Sequence, residues 1–260
     1  MISLLKENKY ERLLKQFIHT NTSYCIINQI GEGSYGIAYL LQHKETGEKT
    51  VLKRLKAKHR HTKNKLKFLQ EVMFLKTLSS LPVPKVYMEG FIEELPFYIM
   101  EHVEGDTFEQ AIFERHETFS IVDTLTKTEE ILNIMIIMHE QGIVHRDLRI
   151  PNIILKNDNM TIIDFGLATK IDHSVRIDQI DNPKKAASPV SDLYALGHFM
   201  LFLLYSTYSP TSKKSRSWQE ELALPTILQN YIEQLLMIQT PFPNAIAAKK
   251  QLQILKAELV

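Results

Sequence analysis

The segment Val144-His-Arg-Asp-Leu-Arg-Ile-Pro-Asn-Ile-Ile-Leu155, followed closely by Ile162-Ile-Asp-Phe-Gly166, decides how this chain is read. Apolar runs of strand length flank a charged loop and leave Asp147, Asn152 and Asp164 at the mouths of strands. A loop this polar is costly to bury and is rarely mere connection. Two carboxylates and an amide oxygen, with no cluster of cysteines or paired histidines nearby, suit a hard cation such as Mg²⁺ rather than zinc. Such a set suits phosphoryl transfer.

The totals allow such a centre and narrow its setting. With 44% hydrophobic and 23% charged residues, the 260-residue chain has an ordinary globular composition and enough length for one large domain or two lobes. A formal net charge of +1 offers no global field for nucleic acid or a membrane surface, so any such preference has to be local. Cys25 is the single cysteine and cannot form an internal disulfide, which favours a reducing compartment, the cytoplasm. Lys6, Glu7, Lys9, Glu11 and Arg12 stand where a secretion signal would need its apolar run. The apolar stretch 193–205 is broken by Gly197 and His198 and is too short for a bilayer, so a buried central helix is expected there.

Residues 3–19 place Leu4, Leu5, Leu13, Leu14, Phe17 and Ile18 among charges at helical spacing. This predicts an amphipathic helix that packs on its own lobe or serves in docking or dimerisation. Residues 24–30 are β-prone and run into Gly31-Glu-Gly-Ser-Tyr-Gly36, and a second strand follows to about Leu41. Glycines between two strands let the backbone approach a ligand closely, whereas a dinucleotide-binding loop would lead into a helix. His43-Lys-Glu-Thr-Gly47 turns the chain into a third strand over 49–55, which carries Lys53. Residues 65–78 predict a helix with Leu66, Phe68, Leu69, Val72, Met73 and Leu75 on its apolar face; Glu71, taken alone, would be solvated. Pro82 and Pro84 break that helix. Strands are expected over 86–92 and 96–103 and helices over 107–114 and 121–139, with Gly142 as a stop.

His145-Arg146-Asp147 with Asn152, then Asp164-Phe165-Gly166, resembles the catalytic loop and metal-binding motif of the eukaryotic-type protein kinase superfamily. The resemblance covers about residues 24–255 and implies an α+β, bilobal fold with a small antiparallel-sheet N-lobe and a mainly helical C-lobe. The expected division is an N-terminal helix at 1–22, an N-lobe at 23–102 and a C-lobe at 103–260. It implies ATP as phosphoryl donor with Mg²⁺, or alternatively Mn²⁺, and a protein hydroxyl as acceptor. Asp147 would receive the acceptor's proton, Asn152 and Asp164 would hold the metal, and Lys53 would orient the α and β phosphates, paired with Glu71. The backbone of Gly31, Gly33, Ser34 and Gly36 would cover the phosphates. Ile30, Ala38, Val51 and Ile154 would sit on adenine, with Ala38 and Val51 reversing the family's usual valine and alanine. In Ile99-Met-Glu-His-Val-Glu-Gly105, Met100 would be the gatekeeper, and backbone groups of Glu101 and Val103 would contact adenine. Asp106 or Thr107 would reach the ribose.

The chain also departs from the family's pattern. Arg149 stands where serine/threonine members usually carry lysine to contact the γ-phosphate, an exchange that keeps charge and changes geometry. The stretch between Gly166 and Asp192 is short and lacks Ala-Pro-Glu; Ala187-Ser188-Pro189 is a poor match. Residues 239–244 lack the arginine that would pair with that glutamate. Asp192, in Ser191-Asp-Leu-Tyr-Ala-Leu-Gly197, would brace the catalytic loop, and either Arg146 meets a phosphate on Ser174 or Thr169 or the site is always assembled. The basic run 53–67 could attract nucleic acid or serve as a solvated linker, the latter being preferred. Glu89, Glu93, Glu94 and Glu104 could favour basic substrates, and Lys213, Lys214 and Arg216 would mark an exposed loop. The expected function is that of a compact bacterial serine/threonine-protein kinase, with a pseudokinase scaffold and a small-molecule kinase as the alternatives.

Overall fold

The computed structural model describes residues 2–209 and 216–259. Lys213 and Lys214 lie outside them, as do the side chains of Leu4 and Leu5. The chain divides into two units, Met1–Glu104 and Gly105–Val260.

In the first unit, helix α1 (Ile2–Asn21) precedes strands β1 (Tyr24–Glu32), β2 (Gly36–His43) and β3 (Lys49–Leu55). Helix α2 (Lys63–Thr77) and strands β4 (Val86–Ile92) and β5 (Leu95–Glu101) complete it. The strands form one antiparallel sheet in the order β1-β2-β3-β5-β4. Strand alternation sends Ile37, Tyr39, Leu41 and Leu52 to one face, where Leu14 and Ile18 of α1 complete a core with Phe97 and Ile99. The apolar face of α1 is thus buried against its own sheet.

The other helix corrects an expectation. Phe68, Glu71, Val72, Phe74 and Leu75 are buried on α2, whereas Leu66, Leu69 and Met73 are exposed at 69%, 37% and 44%. The apolar residues of this helix occupy two faces, and only one of them meets the sheet, through contacts such as Phe68 on Tyr98.

The expected charge patches are also paired. Within the basic run, Lys53 bonds Glu71, Arg54 bonds Glu7 and Lys56 bonds Glu32. On the acidic side, Glu89 meets Lys76, Glu93 meets Lys9, and Glu94 lies 3.9 Å from Arg60.

The second unit opens with β6 (Asp106–Thr107), α3 (Phe108–Phe113) and α4 (Ile121–Glu140). Four short strands follow: β7 (Ile143–Val144), β8 (Ile153–Lys156), β9 (Asn159–Ile162) and β10 (Thr169–Lys170). Helices α5 (Pro189–Tyr205), α6 (Trp218–Glu221), α7 (Thr226–Leu235) and α8 (Ala245–Leu259) end it. Pairings β6-β8-β9 and β10-β7 frame the polar loop between β7 and β8. Ser188 and Pro189, the poor match noted above, are the cap and first residue of α5, a use of proline that loses no helical bond.

Helix α5 buries Val190, Leu193, Leu196, Phe199, Met200, Leu203 and Leu204. Close packing on α7 requires Gly197, since a β-carbon there would lie 2.8 Å from Leu236 Cδ2 and 3.1 Å from Leu235 Cβ. Among the described residues no helix is long and apolar enough to cross a membrane.

Gly105 is the most constrained backbone position: its φ is +125°, and a β-carbon would lie 2.4 Å from the Leu155 carbonyl oxygen. Gly105→Ala is expected to destabilise the protein by about 1–3 kcal/mol, read as a lowered midpoint in urea unfolding; an unchanged midpoint would contradict this geometry.

Candidate active site

In the second unit, a buried imidazole ties the two motif segments together. His145 is fully buried, and burial holds its pKa below the ordinary value, so the ring is neutral. A neutral ring has one donor and one acceptor. Nε2 faces the Ile163 carbonyl at 3.2 Å and carries the hydrogen, while Nδ1 accepts the Asp147 N–H at 3.2 Å. The ring also meets Phe165 edge-on at 4.6 Å. Each motif therefore helps to hold the other.

Both segments contain left-handed backbone, at Arg146 (φ +66°) and Asp164 (φ +61°). Non-glycine residues persist there only when neighbours hold them. Asp164 accepts the Gly166 N–H at 3.3 Å through its own carboxylate. Arg146 is held by Asp192, whose side chain is fully buried. Asp192 Oδ1 accepts the Arg146 N–H at 2.7 Å, and Oδ2 accepts the His145 N–H at 2.9 Å and lies 3.0 Å from His139 Nε2. Burial alone would raise its pKa, but the His139 contact and the Arg146 amide together hold it below the ordinary value. His139 is a partner that the sequence reading did not find.

The carboxylate of Asp147 faces two side chains. Arg149 grips it with Nε on Oδ1 at 2.6 Å and Nη2 on Oδ2 at 3.1 Å. Asn152 Nδ2 donates to Asp147 Oδ2 at 2.8 Å and to its main-chain carbonyl at 2.9 Å. Arg149, expected at a phosphate, is thus bidentate on Asp147 here. With its amide nitrogen committed, Asn152 presents its carbonyl oxygen as a ligand atom.

Among the described residues no group of three or more His, Cys, Asp and Glu side chains could hold a metal ion. The candidate set is therefore sparse: the Asn152 amide oxygen and the Asp164 carboxylate. Hard oxygen donors in small number fit Mg²⁺, which keeps several waters and takes substrate phosphates.

At the start of this unit, Asp106 pairs with Arg115 at 2.5 Å. The Thr107 hydroxyl caps α3, accepting the Gln110 N–H and donating to the Gln110 side chain, so both ribose candidates carry partners of their own. Ile154 lies on β8 opposite Thr107 and Thr161.

In the first unit, Lys53 Nζ meets Glu71 Oε1 at 2.7 Å, and Glu71 is buried. Register places Ala38 opposite Lys53, and Val51 opposite both Leu40 and Met100, so these residues adjoin on one face of the sheet. Gly31 pairs with Ala38, and the turn closes with the Gly33 N–H on the Gly36 carbonyl at 3.0 Å. Ile30 is 47% exposed on β1. The Glu101 N–H donates to the Lys85 carbonyl at 2.8 Å, so its carbonyl is the backbone group left for a ligand. Strand β5 ends at Glu101, two residues short of the expected Val103.

The shortened segment after Gly166 folds onto itself, the Asp172 N–H reaching the Ala187 carbonyl at 2.8 Å. Ser174 Oγ donates to Asp172 at 2.6 Å, so a phosphate placed there would meet a like charge. Among the described residues, Arg146 Nε is buried without a hydrogen-bond partner. Near residues 239–244, the Glu233 carboxylate takes amide hydrogens from Gln219, Gln229 and Gln239, which hold its pKa below the ordinary value.

Asp192→Asn replaces an acceptor by a donor facing backbone N–H groups and is expected to cost about 1.5–3 kcal/mol at neutral pH. Because the folded pKa of Asp192 is depressed, its stabilisation is present above the unfolded value and fades as pH falls through the folded one. Urea unfolding should show the gap between wild type and variant closing below about pH 4; a pH-independent gap would be inconsistent with this role.

Comparison with known proteins identifies the family. Residues 24–256 match the family model described as the protein kinase domain, a match that begins after α1. The probable serine/threonine-protein kinase YbdM of Bacillus subtilis (strain 168) is 31% identical over 252 residues, covering 96% of each chain. Calcium-dependent protein kinase 4 of Plasmodium berghei (strain Anka) is 33% identical over 165 residues, 60% of this chain and 31% of that one. The crystal structure of a mutant PknI kinase domain of Mycobacterium tuberculosis superposes with a TM-score of 0.66 at 17% identity, over 89% of this chain and 95% of that one. The chain belongs to the protein kinase domain family.

Proposed function

We propose that this kinase transfers the γ-phosphoryl group of Mg·ATP to a serine or threonine hydroxyl of a protein. The supporting observation is the interlocked loop in which Asp192 holds the His145 amide, the His145 ring holds the Asp147 amide and Asn152 holds the Asp147 carboxylate. Serine/threonine specificity follows the description of the Bacillus subtilis relative, which also supports a bacterial origin. A cytoplasmic setting rests on Cys25, a free thiol.

The residue roles follow from charge and reach. The acceptor hydroxyl oxygen attacks the γ-phosphorus, the bond from that phosphorus to the β–γ bridging oxygen breaks, and ADP leaves with its electron pair. Asp147 accepts the hydroxyl's hydrogen bond and takes its proton late. Lys53, oriented by Glu71, holds the α and β phosphates, while the backbone from Gly31 through Gly33 and Ser34 to Gly36 covers them. Asn152 and Asp164 would hold Mg²⁺, which would supply neutralisation of phosphate charge. Ile30, Ala38, Val51 and Ile154 contact adenine, with Met100 behind it and the Glu101 carbonyl and Val103 backbone at its edge; Asp106 contacts the ribose. Arg149 serves first to orient Asp147, and its charge also lies available to the transferring group.

Purified protein incubated with Mg·ATP and a generic basic protein should yield phosphoserine or phosphothreonine by site-mapping mass spectrometry, and Asp164→Asn should abolish it. Phosphotyrosine alone would overturn the specificity, and nucleotide binding without transfer to protein would favour a small-molecule acceptor. Arg149→Ala should lower kcat about 100-fold while ATP affinity stays within a few-fold; an equal loss in ATP affinity would count against its place at Asp147.

A further inference from the structure

The basic run contains one cation that no surface role explains. Lys53 and Arg54 are neighbours on β3, so the pleat sends their side chains to opposite faces. Lys53 goes to Glu71, whereas the Arg54 side chain, 3% exposed, goes to the face covered by α1. Its guanidinium donates to the Tyr39 hydroxyl at 3.0 and 3.3 Å and to one carboxylate oxygen of Glu7. The other Glu7 oxygen accepts the Ala57 N–H at 2.9 Å.

Ala57 opens the 3₁₀ turn Ala57–His59, which carries the chain from β3 towards α2. The same turn holds the glycine-rich loop. The Lys56 N–H donates to the Tyr35 carbonyl at 2.8 Å, and a ring nitrogen of His59 lies 3.2 Å from the Ser34 carbonyl. A single carboxylate therefore fastens the point where the strand of Lys53, the approach to the helix of Glu71 and the tip of the glycine-rich loop converge.

The residue type fits this task. Arginine cannot shed its charge when buried, so it needs an anion, and the first N–H of a turn needs an acceptor. Glu7 satisfies both. Helical spacing puts Tyr10, Leu14 and Ile18 on the same stripe of α1, and all three are buried, so the helix keeps its seat without Glu7.

We propose that Glu7 is a positioning residue for phosphoryl transfer: through Arg54 and the Ala57 amide it sets where the Lys53–Glu71 pair and the glycine-rich loop stand. This rests on the kinase reading above. It gives a role to a helix that lies outside the residues matching the protein kinase domain.

The test uses the full chain as wild type, Glu7→Ala, and the double variant Glu7→Ala, Arg54→Met. Thermal midpoint, kcat and KM for Mg·ATP, and hydrogen exchange across residues 56–77 are measured for each. The single variant leaves a buried charge unpaired, so its midpoint falls, its exchange quickens and its kcat/KM drops roughly 10- to 100-fold, mainly through KM for ATP. The double variant removes both charges and regains the midpoint, but the Ala57 amide still lacks its acceptor. There, fast exchange and raised KM should persist. Recovery of KM together with the midpoint, or unchanged exchange over 56–77, would overturn the proposal and leave Glu7 a purely structural residue. Transfer by wild type that is lost in Asp164→Asn upholds the kinase reading whatever the Glu7 variants do, while no transfer by wild type overturns both.

Discussion

A carboxylate taken wholly out of water must be met on every side, and the site in the second unit depends on how Asp192 meets this demand. Its oxygens accept two consecutive main-chain N–H groups, from His145 and Arg146, and face the His139 ring. Consecutive amides can converge on one carboxylate only if the backbone turns, and Arg146 turns it by adopting a left-handed conformation. That turn presents Asp147 to Arg149 and Asn152. The anchor itself sits near the start of α5, whose apolar side chains are packed throughout the unit. Catalytic geometry is thus referred back to the hydrophobic core, the most rigid part of the molecule.

The first unit solves a comparable problem with cations. Its sheet carries Lys53 and Arg54 side by side, one for each face, and each is answered by a glutamate from a different helix. Surface pairs elsewhere, such as Lys9 with Glu93, contribute little individually. The Glu7 and Glu71 pairs are different because each contains a buried member, for which losing the partner is costly. Both helices are thereby held to β3 by charge as well as by apolar packing.

The parts of this arrangement that sequence revealed are those written in short-range pattern. Alternation on β3, the glycines of 31–36, the helix stop at Gly142 and the motif residues 145–147, 152 and 164–166 are all local signals. The family resemblance, and not spacing, connected Lys53 with Glu71 across 18 residues, against the solvated position that Glu71 would otherwise suggest. Other features carry no such signal. Glu7 and Arg54 are separated by 47 residues and His139 and Asp192 by 53, with nothing in either neighbourhood that names the partner. Periodicity likewise showed α2 to be amphipathic without showing which apolar residues meet the sheet, so Leu66, Leu69 and Met73 were assigned to the wrong face.

In the region that departs most from the family, carboxylates are held by amide and hydroxyl donors. Burying an ion pair requires desolvating both charges, whereas a carboxylate held by amides requires no buried cation. Glu233 takes this second route, with Gln219, Gln229 and Gln239 as donors, beside the stretch where an arginine was missed. The shortened segment is closed in the same manner, by the backbone bond from Asp172 to Ala187 and by Ser174 on Asp172. None of these contacts calls for an added phosphate, and the Asp172 carboxylate opposes one at Ser174. A short segment closed by its own hydrogen bonds has less conformational freedom to lose on ordering than a long one. The same trimming that removed the Ala-Pro-Glu motif therefore favours a segment ordered from within.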